Sequence, residues 1–198
     1  MTTPTDIQIY CNYMAEVRTR LGVVADVLSG RIAGGTDFLG TEIVFLQLRK
    51  TLELIAFASL AANRAAYSAV HNKFAEHWRV KAILDEIGKL NADFYPMALD
   101  APQDIAPGRK HFPRPMDGFL TRDEFVLLYD AASAVLHTRN PYTAKDPMVQ
   151  IPYTVPECIS RIQRLLAWHR VQLIGGALWI VMIPDHGDVQ AWAADPMP

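Results

Sequence analysis

Asp130, Ser133 and His137 fall on one face of a single helical segment, three and four residues apart. At that spacing neighbouring side chains on a helix can exchange hydrogen bonds. The trio has the residue types of a hydrolytic triad, in which a histidine takes a serine's proton and a carboxylate orients the histidine. Arg139 follows two residues later and offers a fork of N–H donors suited to phosphate. Acid–base or phosphate chemistry at a helix end is therefore the first expectation. No Gly-x-Ser-x-Gly elbow accompanies the serine, which counts against a nucleophilic role. The plainer role for His137 is to close the helix, its positive form favoured by the C-terminal end of the dipole.

A second group lies in the proline-rich stretch from Met97 to Gly118. Arg109, Lys110, His111 and Arg114 interleave there with Phe112. Such a mixture can grip a phosphate backbone and stack a base, so Arg109, Lys110 and Arg114 are candidate substrate-binding residues. The competing reading is a solvated surface loop, long enough to serve as a lid. His77, Lys81 and Asp85 form a column at helical spacing. Lysine is a poor metal ligand and a good partner for Asp85, so the column reads as a charged, solvated face. No zinc-type spacing and no His-Glu-x-x-His occurs, and no metal or cofactor is expected. Glycine-rich phosphate loops of the common patterns are absent as well.

The elements that must position these residues are well marked. Ile7, Tyr10, Met14, Val17, Leu21, Val24 and Leu28 repeat at alternating spacings of three and four, a seam for packing in a bundle. Gly34-Gly35 breaks it, and Thr36-Asp37 can cap a second helix running into the sixties. That helix is amphipathic at first and then apolar all round through Leu54–Ala62, which predicts a central, buried position. Phe74 to Leu90 reads as another helix, with Trp78, Ile83, Leu84 and Ile87 inward. Thr121 with Glu124, and Thr154 with Glu157, are capping boxes. The first opens the helix that carries His137 and stops before Asn140-Pro141. The second opens a helix predicted to reach about His169. Ala177–Ile183 suits a buried strand, Asp185–Asp188 a turn, and Val189–Trp192 a returning partner. The fold class predicted is mainly α: one domain over 1–198, a bundle of five to six helices with a small C-terminal β-hairpin at about 176–194.

Bulk composition narrows the classes. The 198 residues are half apolar and one fifth charged, with a formal net charge of −2. That balance excludes coating of nucleic acid by bulk electrostatics while leaving room for a local basic site. No secretory signal is visible, and the longest apolar runs are too short to span a bilayer. Cys11 and Cys158 read as free, buried thiols. A cytoplasmic protein with no membrane association is expected.

Leu48–Ile55 in the second helix and the ending Tyr129–His137 in the later one resemble the HEPN (higher eukaryotes and prokaryotes nucleotide-binding) superfamily. The resemblance spans roughly Ile7 to His137. It implies a small all-helical bundle, typically homodimeric, from toxin–antitoxin or abortive-infection systems. Many members are metal-independent ribonucleases that use an arginine followed, after four to six residues, by a histidine. Arg64 with His71 and Arg164 with His169 fit that spacing, though about one such match is expected by chance in a chain of this composition. The residues after the arginines are Ala65 and Leu165, where the family usually has a polar one. In such a site histidine would move the 2′-hydroxyl proton and arginine would stabilise charge on the phosphate. The leading expectation is thus a HEPN-like defence protein with ribonuclease activity. The other is a non-catalytic binding or interaction module that serves a partner protein or a small ligand; RNA is a candidate partner of the chain in general.

Overall fold

The computed structural model describes residues 5–33, 36–70, 80–138, 142 and 149–194. The chain is mainly helical, with six helices among the described residues and an antiparallel sheet toward the C-terminal end. Helix α1 (Asp6–Leu28) starts at a capping box in which Thr5 N–H donates to Gln8 Oε1 at 2.8 Å. Its seam is buried from Tyr10 through Val24, whereas Leu28 is 50% exposed where the chain turns away.

Helix α2 (Asp37–Ala62) is capped by Thr36, as expected, through the Leu39 N–H. Arg20 reaches Gln47 and Arg64 reaches Asp6, so α2 returns antiparallel along α1. From Thr51 onward most of its residues are buried, and α2 packs on α1, α4 and α5. Arg49 pairs with Glu53 at 3.2 Å and lies over the Tyr129 ring. Helix α3 (Arg64–Val70) follows directly, and α4 (Val80–Leu90) turns Ile83, Leu84 and Ile87 inward. The expected residues 74–79 of that helix, with Trp78 and His77, lie outside the described residues. Lys81 pairs with Asp130 at 2.6 Å and Asp85 faces Arg122 at 3.6 Å, so the predicted Lys81–Asp85 pair does not form.

Helices α5 (Arg122–Leu136) and α6 (Val155–Leu166) both begin with the capping boxes read from the sequence. Helix α6 is shorter than predicted. It ends at Leu166, and Trp168–Gln172 is a strand, not the last turn of a helix. Two late acceptors of α6 are satisfied from the sheet: His169 meets Leu166 O at 2.9 Å and Ile183 N–H donates to Ala167 O at 3.0 Å.

The proline-rich stretch is not structureless. It contains β1 (Met97–Ala98) and a hairpin of β2 (Gln103–Ala106) and β3 (Arg109–His111), turned at Pro107-Gly108. Gly108 has φ +72°, the left-handed backbone that such a turn assigns to glycine. Strands β4 (Trp168–Gln172), β5 (Leu178–Met182) and β6 (Gln190–Ala194) complete a four-stranded antiparallel sheet in the order β1-β4-β5-β6. The predicted C-terminal hairpin is its β5–β6 half. Asn91, just past α4, ties the layers together by donating to Asn63 Oδ1 and to Gln172 O.

Candidate functional site

The triad residues do not assemble. Ser133 donates its only O–H to Tyr129 O at 2.8 Å, the carbonyl one turn back. Asp130 is paired with Lys81. His137 caps α5 with extended backbone, its N–H directed at Ala134 O, and its side chain is exposed. The plainer reading of His137 therefore describes its backbone position. Arg139 lies outside the described residues.

The two arginine–histidine pairs fare differently. Arg64 bonds to Asp6 at 2.6 Å, while His71 lies outside the described residues. Arg164 is on the surface, in an ion pair with Asp100. His169, by contrast, is fully buried. Arg164 and His169 matched by spacing alone, and the helix predicted to reach His169 ends at Leu166. With a strand starting at Trp168, the arginine faces solvent and the histidine faces the core.

His169 has a complete set of partners. Its Nδ1 lies 2.9 Å from Leu166 O and its Nε2 lies 2.8 Å from the Tyr10 hydroxyl. A carbonyl can only accept, so Nδ1 carries the proton and Nε2 accepts from Tyr10 O–H. Tyr10 also meets the edge of Trp179. Burial pulls the imidazole down from 6.5 to about 4, partly opposed by its bond to Leu166 O, and pushes the Tyr10 phenol up. A neutral, enclosed imidazole with both nitrogens engaged holds α1 to the sheet and is closed to substrate.

The other face of the sheet is half-buried. Trp168, Arg170 and Gln172 alternate with the buried His169 and Val171, so they point outward. The register sets Arg170 opposite Ile180 and Ile180 opposite Trp192. Trp168 and Trp192 stack with centroids 6.0 Å apart and planes 8° apart, and Phe112 leans on Trp168 at 5.8 Å. Trp192 is 45% exposed. Phe112 directly follows β3, whose Arg109, Lys110 and His111 are all exposed, as is Arg114. Lys110 shares its charge with Asp104 at 2.9 Å. The basic residues and Phe112 were visible in the sequence. Their continuation into Trp168 and Trp192 was not, since Trp168 was assigned to a helix.

A further polar cluster joins α5 to α6. Tyr153 O–H donates to Glu124, and Arg161 lies 3.4 Å from Glu124 and covers the Tyr153 ring. Burial by itself would raise the Glu124 carboxyl. Tyr153, the Thr121 cap and Arg161 outweigh it and hold the carboxyl below the usual range. These groups satisfy one another and fix the start of α5. Among the described residues no three of His, Cys, Asp and Glu converge as metal ligands, and no helix is long and apolar enough to cross a membrane. Compared with protein-family models, curated proteins and solved structures, the chain matches none.

Proposed function

We propose that the protein is a HEPN-like binding module for single-stranded RNA, of the kind that serves bacterial defence or toxin–antitoxin systems. The observation that carries this reading is the row Phe112–Trp168–Trp192 on the outer sheet face, its Trp192 end exposed, continuous with the basic hairpin. Aromatic faces accept any base, and nearby arginines hold the phosphates. A chain of net charge −2 needs such a local site, since its overall field does not attract RNA. A homodimer belongs to this reading, as in the superfamily the chain resembles, and light scattering of the purified protein measures it.

Titration of a fluorescent single-stranded RNA, followed by anisotropy at several salt concentrations, tests the proposal. Loss of one stacked base costs about 1–3 kcal/mol, so Trp192→Ala should weaken binding roughly fivefold to a hundredfold. Arg109→Ala and Arg114→Ala should each flatten the salt dependence. Affinity unchanged in all three variants overturns the reading.

A metal-independent ribonuclease is the second reading, favoured by the exposed position of His137 at the end of α5. RNA incubated in EDTA with the wild type, His137→Ala, His71→Ala and His169→Ala decides it. Cleavage abolished by His137→Ala or His71→Ala, with the fold intact by circular dichroism, supports catalysis. The buried setting of His169 makes loss of folding the expected result of the alanine change, which removes both of its hydrogen bonds.

A further inference from the structure

On α1, Gly22 occupies a mid-helix position that its surroundings do not explain. A Cβ built there meets nothing within 4 Å, so no neighbour requires the absence of a side chain. Glycine in a helix interior costs stability relative to alanine. What Gly22 does face is a cleft of about 370 Å³ between α1, the end of α6 and the β5–β6 turn. Volumes of this order accommodate a small metabolite.

The walls of the cleft have a definite chemistry. Ala25, Ala167, Ile183 and Pro184 supply an apolar side with surface still accessible. Arg18 and Asp185 stand on the same cleft with opposite charges. Arg18 uses one N–H of Nη1 on Pro184 O, at 2.7 Å, which fixes the guanidinium at the rim. No ion pair joins Arg18 to Asp185 or either of them to another described residue. A half-buried cation and an exposed anion beside one apolar recess are complementary to a molecule that carries both charges and an apolar body.

We propose that this cleft binds a small zwitterion with an apolar side chain, of the α-amino-acid type. The carboxylate would lie on the free donors of the Arg18 fork, the ammonium on Asp185, and the side chain against Ala25 and Ile183 above the space that Gly22 leaves. The inference is independent of RNA binding, since none of these residues belongs to the sheet face.

Isothermal titration calorimetry on the full chain, with L-leucine and L-phenylalanine as probes, tests it. Saturable binding of at least one probe is expected. A charge-assisted hydrogen bond is typically worth a tenfold to hundredfold change in affinity, so 4-methylpentanoate, which lacks the ammonium, and 3-methylbutylamine, which lacks the carboxylate, should each bind at least tenfold more weakly. Arg18→Ala and Asp185→Asn should weaken the amino acid by similar factors. Gly22→Leu should block it while leaving the circular dichroism spectrum unchanged. Failure of the wild type to bind either probe overturns the proposal. So does binding indifferent to Arg18→Ala, or 4-methylpentanoate binding as tightly as the amino acid.

Discussion

On the inner face of the β4–β5 ladder His169 and Trp179 are sealed against the helices, while on the outer face a half-buried Trp168 stacks on an exposed Trp192. Neighbouring residues of one strand thus have opposite fates. Inside, each polar atom of the Tyr10–His169 pair has a fixed partner, because an unsatisfied one would carry the full desolvation penalty. Outside, the indole rings are held by one another and retain free surface. The difference teaches that residue type is a poor guide to role here. The histidine matching a catalytic spacing is enclosed in the core, and the tryptophan predicted at the end of a helix stands on the opposite face of a strand.

That comparison is broken most severely by truncating the inner indole. Trp179→Ala should cost about 3–5 kcal/mol, read as a fall in the urea midpoint. An effect no larger than that of Trp192→Ala would mean that the two faces are not different environments. Acidification is next. With its folded value near 4 against 6.5 when unfolded, His169 takes up its proton first in the unfolded chain. Its contribution is complete above about pH 6.5, falls as the pH drops toward 4 and levels off below, a loss approaching about 3 kcal/mol. Urea melts across this window should show a component that disappears in His169→Gln. Tyr10→Phe removes the donor to Nε2 and leaves that nitrogen without a partner, costing about 1–3 kcal/mol at pH 7.5. Smallest of all, Trp192→Ala should shift thermal stability by less than about 1 kcal/mol, its larger effect appearing in RNA titration.

Much of the helical part was legible because its signals are local. Thr121 with Glu124 and Thr154 with Glu157 mark helix starts through contacts three residues apart, and the α1 seam and the all-apolar end of α2 report burial directly. Strand β4 was hidden. Its inward positions are His169 and Val171, so its period of two is not an alternation of apolar and polar, and its ladder comes from β5 and β1. The β2–β3 hairpin hid for another reason: every residue of both strands is exposed, which leaves no pattern, although Pro107-Gly108 was a readable turn. Of the candidate site, the basic residues and Phe112 could be named from sequence. Their alignment with Trp168 and Trp192 depends on pairing between distant segments.

The Tyr10–His169 hydrogen bond spans 159 residues, and this has a kinetic consequence. Closing so long a loop is entropically costly, and contacts of this range form slowly. During synthesis α1 emerges well before the strand that seals it. Until β4 arrives, the Tyr10 phenol stays without its final partner, a condition that favours chaperone capture or aggregation of incomplete chains. The first helix thus depends for one buried partner on a strand made almost at the end of synthesis.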